Sequence, residues 1–506
     1  MEKMMLNFRK STAALAITAM LGFAPMVDAQ QAGGDLSIGV VSDPVTLDPA
    51  FMGSFFEIYA QYLIFEPLLQ INSDLEIEPG MASYDIVDDK TYDFTLRDGL
   101  TFHDGTALDA EAVKWNFDRM MDPEIGSPRG NDLGPIDKVE VTGALTFRIT
   151  FKEPYAPFLS VLTNRAGLMV SPTAVEKMGD DFATSAVGAG PFKVVSWTKN
   201  SELKLEKFDG YWKDGQPLLD TVTLRPIPDE TVRLANLKSG TIQLMDTIPA
   251  QNVAALKADT SVAVHERGGL GFNAFSLNVT AEPFDDPAVR KALQMAVDPA
   301  VTQKVVFFDT GSVSSGPIPP SQAWAYDAGF DPYPYDPEGA KAMLAEAGYT
   351  DPVPFEITVI NSPSLIRMAE IIQAQASEAG FAPTIKQIDG ASLIVVLRAK
   401  DFDMSWSPWS GRPDPDGNMY NYFTIDGPNN FPGYENADVD GMLKQARVTV
   451  DQSARADLYQ KAQAQLAEDA PMLFMHFDST LQAAAPNFVF DQQPDGAFRL
   501  GGAGFE

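Results

Sequence analysis

The feature that most constrains this chain is a change in the period of its apolar residues. Residues 91–97, 190–197 and 203–208 alternate apolar with polar, as half-buried strands do, and 222–227 continues the habit. In the second half, strands are separated by segments whose apolar residues recur at helical spacing, and two of these helices open on an Asp-Pro pair. Asp286-Pro287 precedes Val289, Ala292, Leu293 and Ala296, while Asp336-Pro337 precedes Ala340, Met343, Leu344 and Ala347. The aspartate caps the first turn and proline occupies a position whose N–H would be unbonded anyway; Gly348 ends the second of these helices. Strands alternating with such helices predict α/β layers rather than an all-β sandwich or a helical bundle. A chain of 506 residues exceeds what a single core usually spans, so two or three structural units are expected.

Elsewhere, residues 36–41 read as a strand, and a helix is expected from near Ser54 through Ile58, Tyr62, Leu63 and Phe65. The strand at 91–97, the Asp98-Gly99 turn and residues 100–103 predict a hairpin-like pair, closed by a second turn at Asp104-Gly105. Asp109 caps a helix running to Met121, and a helix over 451–470 stops at Pro471. There is no tandem repeat.

The N-terminus carries an address. Lys3, Arg9 and Lys10 precede a short apolar stretch rich in small residues, which contains Pro25 and ends at an A-x-A-like site at Ala29. This predicts a cleavable signal peptide over 1–29, because the run is too short for a membrane span, and places the mature chain in a periplasm. No later segment offers 18 uninterrupted apolar residues, so the mature chain is expected to be soluble. It contains no cysteine, which excludes disulfides, thiol nucleophiles, zinc–thiolate sites and iron–sulfur clusters. A formal charge of -32 repels a phosphate backbone, so no nucleic-acid partner is expected. Three histidines, His103, His265 and His476, leave little for general-base or imidazole–metal chemistry, and no cofactor or metal is expected.

Catalytic signatures are missing too. There is no Gly-x-Ser-x-Gly elbow, phosphate-binding loop or His-Glu-x-x-His, and the cluster Gly268-Gly269-Leu270-Gly271 lacks the third glycine of a dinucleotide fingerprint. That cluster reads as a strand-entry turn. One segment, 406–423, stands apart. Asp414, Asp416 and Asn418 match the first three positions of a calcium loop, but the pattern then breaks at Met419 and Ile425. Either the segment is a Pro- and Gly-rich surface loop, or it recognises a small molecule with the faces of Trp406 and Trp409 and the fork of Arg412. Arg412 favours a carboxylate or phosphate; equally, it could pair with Asp414 or Asp416 and shape its own loop.

Taken in order, the motifs resemble the solute-binding proteins of ABC importers that include peptide, nickel and opine binders, family 5. They are residues 91–105 with the helix 110–115, then Gly188-Ala189-Gly190-Pro191-Phe192, 283–293 with 296–298, and 335–341 through 347–349. The resemblance implies a two-lobed periplasmic-binding-protein clamshell of the cluster C type, with an extra small domain inserted in lobe I. Lobe I would comprise 32–66, 187–270 and 473–506, the extra domain 67–186 and lobe III 271–472, with hinge strands near 271–275 and 472–476. It implies a monomer that is not an enzyme, capturing a peptide or peptide-like solute between its lobes and delivering it to a permease and ATPase complex in the inner membrane. The candidate ligand contacts on that scheme are Phe51, Phe272, Asn273, Trp406, Trp409, Gly411, Arg412, Asp414, Asp416 and Asn418. In peptide-binding relatives an aspartate shortly after the loop tryptophan meets the peptide's ammonium group; here that place falls on Gly411 or Arg412. An exported hydrolase, a binder of an anionic opine or sugar acid, and a chemosensory partner are the alternative functions.

Overall fold

The computed structural model describes residues 32–53 and 56–506. The expected signal peptide and the start of the helix near Ser54 lie outside the described residues; the helix itself spans Ile58–Ile64.

A mixed sheet of 11 strands runs through the molecule. At one end Phe381–Ile388, Val353–Ile360 and Met404–Trp406 pair in parallel. At the other, Asp35–Val40 pairs in parallel with Leu244–Met245 and Thr221–Pro226, and Glu202–Lys207 and Phe192–Thr198 continue the sheet antiparallel. The two ends are joined by two long antiparallel strands, Ala263–Leu277 and Met472–Ala484, each of which contributes to both. Their register holds from Ala263 to Gly268 against Ser479 to Ala484, breaks, and resumes from Phe272 to Ser276 against Met472 to Phe477. The Gly268–Gly271 cluster is therefore not a strand-entry turn; it lies inside one strand, at the register break. The reason is steric. A Cβ at Gly271 would stand 2.0 Å from the Trp409 carbonyl oxygen, and one at Gly269 would stand 2.8 Å from that of Asp478.

Separate apolar cores sit on either side of this junction. Leu36, Ile38, Phe65, Phe192, Leu205, Leu224 and Phe498 share one, while Phe275, Leu293, Ile357, Ile372 and Met404 share another. The fold is thus a two-lobed α/β clamshell. Helices of the second lobe form where the sequence says they should. Asp286 Oδ1 accepts the Ala288 amide at 2.8 Å and Asp336 Oδ1 accepts that of Gly339 at 2.9 Å. Each such cap stabilises its helix by about 1 kcal/mol. Helix Gln452–Asp469 ends on Ala470 in the left-handed region, with φ 49°, just before Pro471.

A third core belongs to a smaller four-stranded antiparallel sheet, ordered Ala82–Asp88, Thr91–Leu96, Thr146–Phe151, Ile136–Gly143, and to helix Ala110–Met121. Phe94 stacks on Phe147 with centroids 4.9 Å apart. Thr91–Leu96 does not pair with residues 100–103 as a hairpin. Both of its edges are taken, by Ala82–Asp88 and Thr146–Phe151, and the segment beyond the Asp98-Gly99 turn makes only the small bridge Thr101 to Ala107. His103 anchors that corner. Its Nε2–H donates to the Gly190 carbonyl at 2.9 Å and its Nδ1 accepts the Gly188 amide at 3.3 Å, and burial holds the imidazole down to about 4.

Candidate functional site

Two adjoining cavities open between the lobes, of about 770 and about 430 Å³, and Trp409 lines both. Trp409 is fixed by the backbone. Past strand Met404–Trp406 the chain keeps alongside the long strand, with the Ser407 amide on the Ala274 carbonyl at 2.8 Å. The amides of Phe272 and Trp409 each bond the other's carbonyl at 2.9 Å. The chain then turns at Gly411, with φ +76°, where a Cβ would stand 2.0 Å from the Leu270 carbonyl oxygen, so no other residue fits.

Asn418, from helix Asp416–Phe423, ties this turn together and is buried. Its Oδ1 accepts from the Trp409 indole and from the Arg412 amide, both at 3.0 Å, while its Nδ2 donates to the Leu270 and Pro317 carbonyls at 3.0 and 3.1 Å. All its hydrogen-bonding capacity is used in joining the loop to the long strand and to Pro317, so it shapes the cavity without facing it. Asp414 and Asp416 line the larger cavity, yet both are spoken for: Arg455 grips Asp414 with two bonds at 2.9 and 2.7 Å, and Arg447 grips Asp416 at 3.0 and 2.6 Å. Neither pairs with Arg412. The calcium-like spacing therefore reflects two ion pairs. Among the described residues no group of three or more His, Asp or Glu side chains is arranged to hold a metal.

Arg412 is left with its charge directed at the cavity. Its guanidinium lies over the Trp409 ring, 4.5 Å from the centroid, and donates to the Gly411 carbonyl at 2.6 Å. Among the described residues it makes no ion pair. Arg129 and Arg165, which line the same cavity, come from the small-sheet region. Burial, and then the positive charges of Arg165 and Arg129, push Arg412 down to about 10, with Asp132 opposing them. Arg129 is partly satisfied by Asp132 at 3.0 Å.

The smaller cavity lies at the register break. Asn273 lines it, accepting from the Trp406 indole at 3.1 Å and donating to Asp478 at 2.7 Å. The other residues singled out in the sequence fall elsewhere. Phe272 is fully buried in the second lobe against Tyr422 and Phe474, Gly411 is buried in its turn, and Phe51 is 45% exposed and lines neither cavity. Phe56, from the same stretch as Phe51, and Tyr59 line the smaller cavity with Trp409. His476 is a buried strand residue, stacked on Phe307 with centroids 3.6 Å apart and hydrogen-bonded to Gln303; His265 packs on Phe490. Sequence reasoning missed Arg129, Arg165 and Asp478. Only the last left a trace, as an acid two residues beyond a predicted hinge strand.

Comparison with known proteins places the chain in a family and supports its fold. The bacterial extracellular solute-binding proteins, family 5 Middle, match residues 76–431. The glutathione-binding protein GsiB of Shigella flexneri serotype 5b is 30% identical over 511 residues, covering 97% of each chain. The periplasmic binding protein DppA of Helicobacter pylori, solved with the peptide STSA, superposes with a TM-score of 0.82 at 27% identity, over 94% of this chain and 99% of that one. AgaA from A. tumefaciens R10, solved with agropinic acid, gives a TM-score of 0.80 at 27% identity over 94% and 99%.

Proposed function

As the chain belongs to family 5 of the bacterial extracellular solute-binding proteins, we propose that its cleft captures a small peptide-like solute through a carboxylate of that solute. The protein is the solute-binding component of an ABC importer. Capture works by differential contact: a solute touching both walls of the cleft stabilises the closed arrangement relative to the open one, and one touching a single wall does not. The closed form is what we expect a permease to recognise, with an ATPase supplying the work. Residence in the periplasm after removal of the 1–29 segment is part of the same proposal, and no helix among the described residues is long and apolar enough to cross a membrane. Lobe boundaries near 66, 186, 270 and 472 belong to the same proposal, although Leu168, Val170, Phe182 and Ala186 pack into the first lobe's core and Leu473 and Met475 into the second's.

The observation that carries the reading is the unpaired guanidinium of Arg412 above Trp409, facing Arg129 and Arg165 across one cavity. Three arginines from two walls favour a carboxylate, which can accept bidentate bonds, while the indole face offers an apolar floor. GsiB is named for glutathione and DppA was solved with a tetrapeptide, and both ligands are short peptides that carry a terminal carboxylate. The likeness to AgaA supports a second reading, an opine-like acid, with the same anion subsite.

Arg412→Ala should weaken glutathione or Ser-Thr-Ser-Ala by about tenfold or more, as expected for a charge-assisted contact, and leave the carboxamide form of either peptide nearly unaffected. Isothermal titration calorimetry reads both. Equal losses for acid and amide would assign Arg412 to loop shape instead.

A further inference from the structure

We propose that Asp478 receives an ammonium group of the solute, as a second charged subsite at the hinge end of the cleft, so that the captured molecule is a zwitterion lying between Asp478 and the arginines. This rests on the carboxylate reading above and extends it to the other end of the ligand.

Three carboxylates line the smaller cavity, and two are already neutralised. Asp246 sits 3.4 Å from Arg233 and accepts the Val41 and Thr247 amides at 2.8 and 2.7 Å. Asp495 holds both terminal nitrogens of Arg499, at 2.9 and 2.8 Å. Asp478 has no such partner. Among the described residues no lysine or arginine stands within ion-pair reach of it, and its side chain is 46% exposed, into the cleft.

The one basic group near it brings no charge. His476 Nε2 is 3.7 Å from Asp478 Oδ1, but Gln303 orients the ring from the other side. The Gln303 amide nitrogen donates to the Thr310 carbonyl at 2.7 Å, which turns its oxygen toward His476 Nδ1, also at 2.7 Å. Nδ1 therefore carries the proton, Nε2 presents a lone pair, and burial keeps the imidazole neutral. Asp478 is instead aimed by a neutral relay: the Trp406 indole donates to Asn273, whose amide donates to Asp478 at 2.7 Å. One carboxylate oxygen is thereby fixed and the other is left for a ligand. Phe56, Tyr59, Trp406 and Trp409 line the same space, and aromatic faces around one carboxylate are the arrangement an ammonium group prefers. Because Trp409 lines both cavities, one short molecule can reach from this end to Arg412.

The test is calorimetry on the mature chain with glutathione and Ser-Thr-Ser-Ala, each with its amine free and N-acetylated. The wild type should prefer the free amine about tenfold or more, the scale of a charge-assisted contact. Asp478→Asn, which keeps the shape and the Asn273 contact, should bind both forms alike while its melting temperature does not fall. Equal wild-type affinity for the two forms, or a preference that survives in Asp478→Asn, overturns the proposal. Arg412→Ala separates the two ideas: if it leaves affinity intact while Asp478→Asn abolishes the amine preference, only the carboxylate reading falls. Absence of binding by every probe counts against both.

Discussion

At the scale of single residues, the cleft is a matter of which charges are already spent. Asp414 and Asp416 looked like ligand contacts in the sequence, but Arg455 and Arg447 neutralise them, and in the larger cavity the charge of Arg412 remains available. Desolvation in the cleft raises Asp478 to about 7, with only the Asn273 hydrogen bond opposing it. The groups facing it are Asn273 and Trp406, the neutral His476 on its own strand, and Asp246 and Asp495 across the cavity. Ammonium binding favours the ionised carboxylate, so affinity for a free-amine peptide should be full above pH 7 and fall as the pH drops below it. The N-acetyl form should lack that dependence, and so should Asp478→Asn; because burial also raises Asp246, to about 6, the comparison between wild type and variant isolates Asp478. The effect on folding has the opposite sense. A carboxyl raised from about 3.9 in the unfolded chain binds more protons when folded, so its contribution to stability is lost as pH rises from that value to about 7. Thermal melts of Asp478→Asn should therefore gain on the wild type across that window and by a constant amount above it.

At the scale of elements, the site depends on three stretches of backbone, around 269–271, 409–411 and 478, approaching more closely than side chains would permit. Gly271 and Gly411 are where this is most acute. Gly271→Ala should separate the Phe272–Trp409 bridge, cost roughly 1–3 kcal/mol as an overpacked core position does, and weaken binding by moving Trp409. An unchanged melting temperature together with unchanged affinity would show that the loop is held by something else. The helices illustrate what local chemistry can reveal: the Asp caps at 109, 286 and 336 were all legible, since a cap uses only residues within one turn. The strand 91–97 shows the limit. Its alternation was legible, but its partners lie up to about 60 residues away, and the nearer segment after Asp98-Gly99 does not join the ladder.

At the scale of the whole molecule, the second lobe meets the small-sheet domain across the larger cavity, with the Ala156 amide on the Arg447 carbonyl at 2.8 Å and the Arg447 guanidinium 5.6 Å from the Tyr155 ring centroid. Arg129 and Arg165 approach from one side of that gap and Arg412 from the other, so without an anion between them like charges oppose closure. A bound carboxylate removes this repulsion. Small-angle scattering should accordingly find the wild type more expanded without ligand than with glutathione, and Arg412→Gln more compact than the wild type when both are empty. Equal dimensions for the two empty proteins would mean that the arginines do not control opening. The layered α/β class, the capped helices, the strands, the absence of thiol chemistry and, through motifs in order, the resemblance to a binding-protein family could all be read from the order of residues. These depend on patterns within a few turns of chain or on composition. It took the folded chain to establish that Asp414 and Asp416 are spent, that Arg129 and Arg165 join Arg412, and that Asp478 is the acid left over. Such pairings are settled by side chains far apart in the chain competing for the same partners, and nothing in the local spacing of residues records who wins.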